Sequence, residues 1–378
     1  MTPRVANSTS IPPRVLHVIT PSRMAGAETF LARLMRRTDP TQVVQHCIAS
    51  RNAAVVEMRK AGMTFETLGI SGKLNLLAPS RIRQAARDFH ADLLHSHLST
   101  ASWWCGWLER LGGPPSIGHV HGFTSSFWHS QQSHLIACSK AVKLDLVQKG
   151  IHADRVSVIH YGVDPNDQRR TRTVADVRAE LGADDATPVV GTFAHLSIKK
   201  GYRELVAAAE LVLNHIPNAQ FWCCGEGPLR KELEEQARRA GIADRFRLLG
   251  FRRDVPDLMR AIDVMCLPSH REPFGLVYVE AATAEKPVIA CDAGGAPEII
   301  DDGETGLLVR PHNVPDLADA ILTLLDNRDR AAAMGRRARQ LAVDRFTWPN
   351  YLERLRQVYD RVLDRDSGLS NPRAQRAA

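Results

Sequence analysis

The chain has 378 residues, of which 44% are hydrophobic and 24% charged, and its formal net charge is +7. This balance is typical of a globular protein with two or three domains and excludes an intrinsically disordered chain. No apolar stretch approaches the roughly 18 residues that a membrane-spanning helix needs, and the polar, proline-rich start MTPRVANSTSIPPR does not resemble a secretory signal.

Short apolar runs alternate with helical patterns through the first half of the chain, beginning with a strand at 14–20 and a helix around 27–37. Further strands are predicted at 42–49, 63–68, 91–96, 116–122, 134–139 and 155–160. Such alternation predicts a parallel sheet with helices on both faces.

A polar stretch at 164–188 is predicted to be a linker, after which the alternation resumes. The later strands are predicted at 188–196, 219–225, 245–250, 263–268 and 286–291. We therefore expect two Rossmann-like α/β domains, 1–168 and 185–347, facing each other across a deep interdomain cleft, with a disordered tail at 365–378. Ligands bind at the carboxyl ends of strands in such folds.

Seven cysteines lie in apolar runs without a C-x-x-C pair, which indicates buried thiols in a reducing compartment. We therefore expect a cytoplasmic protein. The first strand is not followed by G-x-G-x-x-G, and no P-loop pattern occurs, so the sequence does not indicate a nicotinamide or P-loop enzyme.

The most informative segment is EPFGLVYVE (272–280). Gly275 allows the backbone to approach a ligand, and the helix predicted from Leu276 offers free N–H groups to a phosphate. Glu272 before the helix and Glu280 within it can accept hydrogen bonds from the hydroxyl groups of a sugar or a ribose. Alternatively, Glu272 is an acid favoured at a helix start and Glu280 belongs to an exposed helix face.

Two further segments follow predicted strands. Lys200 in HLSIKKG (195–201) can reach a diphosphate, although Lys199 and Lys200 can equally be a solvated pair. GGAPE (294–298) predicts a tight turn between a strand and a helix, and DDGETG (301–306) predicts a structural turn.

Histidines and tryptophans supply weaker candidates. His95 and His97 face one side of a strand, but the sequence indicates no third metal ligand. Trp103, Trp104 and Trp107 lie on one predicted helix and favour core packing over a membrane-facing surface.

Positive charge is concentrated in residues 1–180, with 22 Lys and Arg against 13 Asp and Glu, a net +9. It indicates an anionic partner, or merely uneven solubilising charge. Arg83 and Arg87 share a helix face and are the preferred contacts for an anionic acceptor or lipid headgroup, with Arg33, Arg36 and Arg37 as rivals.

The chain resembles the family-4 retaining glycosyltransferases of the GT-B fold, also called glycosyl transferases group 1. The second half carries the more specific matches, which appear in the family's order: HLSIKKG, CGEGPLRKELEE, RFRLLGFRRDV, EPFGLVYVE, GGAPE and DDGETGLLV. The first half matches more loosely through AGAETFLARL, ADLLHSH, HVHG, ACSKAV and VIHYGVD.

The resemblance implies a role for each matching residue. Glu280 would bind the ribose of a UDP-sugar or GDP-sugar, and Glu272 would hold the transferred sugar with the backbone N–H groups after Phe274. Lys200 would neutralise the diphosphate, which Gly26 would approach from the other domain. His121 would lie beside the sugar, and His97 would line the acceptor side or pack behind it. A helix at about 348–364 would cross back onto the first domain.

His195 departs from the arginine usual in the family, so diphosphate stabilisation would depend on Lys200 and the helix N-terminus. Ala25 similarly replaces the first of two glycines in the first loop. The implied reaction is metal-free, cofactor-free hexosyl transfer with retention to a glycan or lipid-linked acceptor, in cell-surface polysaccharide or lipopolysaccharide synthesis. We expect peripheral contact with the anionic inner face of the cell membrane. We expect no nucleic-acid partner. A nucleotide-sugar 2-epimerase and a non-catalytic nucleotide-sugar-binding protein are the alternatives.

Overall fold

The computed structural model describes residues 11–21, 26–51, 54–60, 62–165 and 171–366. The chain divides into two units. The first comprises Met1–Cys138, Val142–Ile159 and Leu352–Ala378, and the second comprises Ser139–Ala141 and His160–Tyr351. Residues from His160 onwards thus group with the second unit, whereas the sequence placed the boundary at 168. Most of the predicted tail, from residue 367, lies outside the described residues.

The first unit contains a parallel sheet with the strand order β3-β2-β1-β4-β5-β6-β7. Its strands are β1 (Arg14–Ile19), β2 (Val44–Ser50), β3 (Glu66–Leu68), β4 (Leu93–His97), β5 (Ser116–Val120), β6 (His134–Ala137) and β7 (Val156–Val158). Its helices are α1 (Gly26–Arg37), α2 (Ala54–Lys60), α3 (Ala78–Asp88), α4 (Ser99–Arg110) and, from Val142 onwards, α5 (Lys140–Gln148). Short 3-10 helices span Ser126–His129 and Ala153–Arg155.

The two faces of this sheet differ in chemistry because side chains alternate along each strand. Leu16 and Val18 of β1 and Leu94 of β4 belong to an apolar cluster with residues of α3 and α4. The intervening positions on the opposite face carry His17 and His95, which are also fully buried. A sheet covered on both faces buries every side chain of its central strands.

The second unit contains a parallel sheet with the order β10-β9-β8-β11-β12-β13. In chain order its elements are α6 (Val174–Glu180), β8 (Val189–Phe193), α7 (Tyr202–His215), β9 (Gln220–Cys224), α8 (Arg230–Arg239), β10 (Phe246–Gly250), α9 (Val255–Ala261), β11 (Val264–Leu267), α10 (Leu276–Thr283), β12 (Val288–Cys291), β13 (Gly306–Val309), α11 (Val314–Asp326) and α12 (Arg328–Arg345). Short 3-10 helices span Ile198–Lys200 and Ala296–Glu298.

The last helix, α13 (Trp348–Asp366), begins in the second unit, but its residues from Leu352 belong to the first. Its Tyr359 Oη lies 2.7 Å from His95 Nδ1, and Arg356 donates to the carbonyl of Gln42 at 3.2 Å. The helix therefore covers the histidine face of the first sheet.

Two expectations about elements are wrong in part. The polar stretch 164–188 contains α6, whose start is capped by Thr173 and Asp176 and whose Arg178 is buried against the second unit. The segment after GGAPE supplies the short edge strand β13 as well as a turn. All seven cysteines are buried thiols, as expected. Among the described residues, no helix is long and apolar enough to cross a membrane.

Both sheets reverse their strand order at one point, between β1 and β4 in the first unit and between β8 and β11 in the second. The loops after these strands run in opposite directions and leave a crevice at the carboxyl edge of the sheet, where α/β proteins bind ligands. The fold class is thus two Rossmann-like units, each with its own crevice.

Candidate functional site

The second unit brings Lys200 and Glu272 together at its crevice. Lys200 ends the 3-10 helix that follows β8, and Glu272 lies in the loop after β11. The Lys200 ammonium donates to Oε2 of Glu272 at 2.5 Å, and these side chains are only 16% and 9% exposed. Because the pair is largely removed from water, its charges are weakly screened and its geometry is restrained.

Close backbone packing explains two of the glycines around this pair. Gly201 has φ +70°, and a Cβ there would lie 2.0 Å from the carbonyl oxygen of Pro268. Gly294 has φ +60°, and a Cβ there would lie 2.1 Å from the carbonyl oxygen of Glu272. Any larger residue would push the GGAPE turn or the Lys200 segment away from the Glu272 loop.

The helix α10 starts immediately after this loop, with Gly275 as its N-cap. Phe274 is buried, and the hydroxyl of Tyr278 donates to the carbonyl of Leu267 at 3.0 Å, which fixes the helix on β11. Within the described residues no side chain caps the start of α10. The N–H of Tyr278 donates to the carbonyl of Gly275 at 2.9 Å, whereas those of Leu276 and Val277 can bind an anion. Glu280 lies half-buried in the second turn.

Glu298, the last residue of GGAPE, has a role that the sequence did not indicate. Its carboxylate accepts from His160 Nε2 at 2.7 Å and from the N–H groups of Lys140 and Ala141 at 2.8 and 2.9 Å. Burial alone would raise the pKa of Glu298, but these hydrogen bonds outweigh it and the pKa is lowered. Glu298 is thus an ionised carboxylate that binds the backbone N–H groups of Lys140 and Ala141, two residues that group with the second unit.

A cluster of one glutamate and two histidines, which the sequence did not indicate, lies on the same unit. Glu204 Oε1 lies 3.2 Å from His270 Nε2 and 3.0 Å from His312 Nδ1. The centroids of the two imidazole rings are 3.6 Å apart. Their ligand atoms are close enough for a metal ion. His195, which replaces the family's arginine, is exposed.

The first unit collects five histidines on one face of its sheet. The parallel register pairs His17 with His95 and His97 with His119, and His121 follows one step beyond β5. His17, His95, His97 and His119 are completely buried, while His121 is half-buried. His17 is the third potential metal ligand beside His95 and His97 that the sequence alone did not indicate.

Three of these histidines form a hydrogen-bonded series with Gln45, here called the histidine chain. Gln45 Oε1 lies 3.0 Å from His17 Nε2, His17 Nδ1 lies 3.2 Å from His97 Nε2, and His97 Nδ1 lies 3.1 Å from His121 Nε2. Because the amide oxygen can only accept, each imidazole carries its proton on Nε2 and donates toward Gln45. The histidine chain thus runs from Gln45 through His17 and His97 to His121.

Burial keeps the histidine chain neutral. Desolvation lowers the pKa of His17 to about 4 and that of His121 to about 3, and it holds the pKa of His97 well below its usual value. His97 is therefore a buried support for His121 and does not form an exposed acceptor surface.

The structure places the other candidates as follows. Gly26 is the exposed first residue of α1. Arg83 and Arg87 lie one turn apart on α3, but the Arg83 guanidinium donates to the carbonyl of Leu111 at 3.0 Å. Of the three tryptophans on α4, Trp104 is buried, whereas Trp103 is half-buried and Trp107 exposed. Core packing thus accounts for only part of this helix.

Both halves of the chain match models of known protein families. Residues 24–167 match the model of Glycosyltransferase Family 4, and residues 174–341 match that of Glycosyl transferases group 1. The chain belongs to the family-4 glycosyltransferases of the GT-B fold, and it is a glycosyltransferase.

Individual relatives support this assignment. A D-inositol 3-phosphate glycosyltransferase of Nocardia farcinica (strain IFM 10152) is 35% identical over 316 residues, covering 75% of this chain and 69% of the relative. An alpha-D-kanosaminyltransferase of Streptomyces kanamyceticus is 30% identical over 332 residues, covering 79% and 84%. The crystal structure of Anabaena Alr3699/HepE in complex with UDP and glucose has a TM-score of 0.81 and 25% identity, covering 92% and 99%.

Proposed function

We propose that the protein transfers a hexose from a UDP-sugar or GDP-sugar to a glycan or lipid-linked acceptor with retention of anomeric configuration. The observation that carries this proposal is the buried Lys200–Glu272 pair beside the N-terminus of α10. A cation, a carboxylate and free N–H groups in one crevice match a diphosphate attached to a sugar.

In this proposal Lys200 and the N–H groups of α10 stabilise the charge that develops on the departing diphosphate. Glu272 holds hydroxyl groups of the sugar, and Glu280 holds those of the ribose. The bond between the anomeric carbon and the diphosphate breaks, and the acceptor oxygen forms the new bond on the same face. The acceptor's proton passes to a diphosphate oxygen. Neither a metal nor a covalent enzyme intermediate takes part.

We also propose, from the family resemblance, that His121 lies beside the transferred sugar. Its imidazole is held through Nε2, which lies 3.1 Å from His97 Nδ1. His97, His17 and Gln45 would position this ring without touching the sugar.

The relatives are glycosyltransferases whose names indicate different substrates, so they guide the choice of acceptor only in general terms. One is named for an inositol 3-phosphate and another for transfer of a kanosaminyl group. We propose a cytoplasmic enzyme of cell-surface polysaccharide or lipopolysaccharide synthesis, in which the acceptor is anionic or lipid-linked. Membership of this family disfavours the epimerase alternative.

The test is incubation with a panel of UDP-sugars and GDP-sugars, with release of UDP or GDP followed over time. A transferase hydrolyses its donor slowly and is stimulated by an acceptor, whereas an epimerase converts the sugar and a binding protein leaves it intact. The anomeric configuration of the product, read by NMR, tests retention. Inversion, or equal rates for wild type and Lys200→Ala, would overturn the proposed mechanism.

A further inference from the structure

Six apolar side chains of the first unit are left partly or largely exposed on neighbouring elements. The loop before α3 presents Leu74, Leu76 and Leu77, which are 93%, 84% and 59% exposed. Trp107 of α4 is 37% exposed and Phe127 of the 3-10 helix 56% exposed, with half-buried Trp103 beside them. We call these six residues the leucine–tryptophan surface.

Direct contacts join its parts. The ring centroid of Trp103 lies 5.7 Å from that of Trp107 and 5.0 Å from that of Phe127. Trp128 lies 5.4 Å from Trp103, and Lys73 Nζ lies 3.5 Å above the Trp128 ring. The leucine loop is also tied to α4, because Trp104 Nε1 donates to the carbonyl of Gly72 at 2.9 Å. The surface is thus held on well-packed elements.

Charges around this surface are mostly positive. Residues 66–88 contain Lys73, Arg81, Arg83 and Arg87 against Glu66 and Asp88, which line one pocket with Arg81. On α4 the only acid, Glu109, accepts from the hydroxyl of Ser116 at 2.7 Å and from the N–H of Ser133 at 3.1 Å. The helix then ends at the exposed Arg110. A local excess of cations attracts anionic groups.

We propose that the leucine–tryptophan surface docks on an anionic membrane, with its leucines in the acyl layer, its aromatic rings at the interface and the surrounding cations at the headgroups. Surfaces that bind the membrane interface typically combine exposed leucines, aromatic residues and flanking Lys and Arg. Exposed apolar patches mark sites of protein or membrane interaction, and the excess of cations beside this one favours an anionic membrane as its partner.

This inference changes the role first expected of Arg83. Its guanidinium holds the carbonyl of Leu111 at the end of α4, so it positions the surface as well as contributing charge. Apolar insertion, and not the Arg83 and Arg87 pair alone, is the main source of affinity.

The experiment is flotation of the full chain with phosphatidylcholine vesicles, with and without phosphatidylglycerol, at low and high salt. We expect binding that is strongest to anionic vesicles and persists in part at high salt. The Leu74→Ser, Leu76→Ser, Leu77→Ser triple variant should bind at least about tenfold more weakly. Neutralising Arg87 or Arg110 with Gln should weaken binding to anionic vesicles by about fivefold each.

Phe251→Ser supplies the matched control, since Phe251 is 73% exposed but belongs to the second unit. It should bind like wild type. Lipids brominated in their acyl chains should quench tryptophan fluorescence, and Trp107→Phe should reduce that quenching. Unchanged thermal unfolding shows that the serine variant is folded.

Three results would overturn the proposal. They are absence of binding to either vesicle, equal binding of wild type and the serine variant, and binding that high salt abolishes without acyl-chain quenching. Self-association lost in the serine variant, with no vesicle binding, would instead assign the surface to a second copy of the chain. Vesicle binding needs no donor, so its outcome is independent of the proposed transferase mechanism.

Discussion

Lys200 and Glu272 are 72 residues apart in sequence, yet one hydrogen bond of 2.5 Å joins them at the carboxyl edge of the second sheet. They follow β8 and β11, the two neighbouring parallel strands between which the strand order of the sheet reverses. The topology of the sheet therefore brings this cation and carboxylate together, and each residue constrains the other's position.

Lys200→Ala should lower turnover on the order of 10²-fold, because it removes the main cation at the proposed leaving group. Steady-state kinetics with the preferred donor measure this, and Lys199→Ala, which alters the exposed neighbour, is the control. Thermal unfolding should be followed as well, since Glu272 would lose a largely buried partner. Full activity of Lys200→Ala with loss in Lys199→Ala would transfer the phosphate contact to Lys199.

Glu280→Ala should mainly weaken donor binding, whereas Glu272→Ala should mainly lower turnover. A ribose contact is the same in the ground state and the transition state, while sugar positioning matters most as the glycosidic bond breaks. Titration calorimetry with UDP and GDP, combined with separate kcat and KM values, distinguishes the two effects. An unchanged donor affinity in Glu280→Ala would reject the ribose assignment.

The histidine chain predicts a pH dependence of stability. Burial lowers the pKa of His17 from 6.5 to about 4, so the unfolded chain binds the proton more readily. The free energy of unfolding should be highest above about pH 7, where His17 is neutral in both states. It should fall as the pH drops from 6.5 toward 4, by roughly 3 kcal/mol for His17 alone. Urea unfolding at several pH values measures this. His17→Leu should show a shallower fall, and identical pH slopes would contradict the prediction.

Glu298→Gln should destabilise the second unit by about 1–3 kcal/mol, because a neutral amide replaces the acceptor of three hydrogen bonds. Since the pKa of Glu298 is lowered, its contribution is present above the unfolded pKa and is lost as the pH falls through the folded value. Urea unfolding at pH 7.5 and at several pH values below 4.5 tests both statements. Glu304→Gln, at an exposed ion pair with Arg337, is the control and should change little.

Transferase activity should survive exhaustive chelation, because the proposed leaving-group stabilisation uses Lys200 and backbone N–H groups. The measurement compares initial rates before and after chelator treatment, with magnesium, manganese and zinc added back. Activity that is lost on chelation and restored by one ion would reject the metal-free mechanism. The clusters Glu204–His270–His312 and His97–His119–His121 would then become candidate ligand sets.

Local patterns in the sequence were sufficient to predict most strands, the two α/β units and the loop containing Glu272. Each of those features depends on neighbouring residues, such as the turn at Gly275 and the apolar run of β11. The edge strand β13 was missed because its four residues, GLLV, follow a turn and form too short a run to identify.

Contacts between distant residues could not be predicted in the same way. His160 and Glu298 are 138 residues apart, and His17 and His97 are 80 apart. The hydrogen bond between His17 and His97 requires the parallel register of β1 and β4, and the pattern of a single sequence does not specify that register. The exposed leucines were equally hidden, because an apolar residue in a loop does not itself reveal whether a partner covers it.

The C-terminal helix has a consequence for synthesis of the protein. Tyr359 contacts His95 across 264 residues, and the whole second unit is translated between them. On the ribosome the second unit can therefore complete its fold while the histidine face of the first still lacks its covering helix. This order predicts that docking of the C-terminal helix onto the first sheet is a late step in folding.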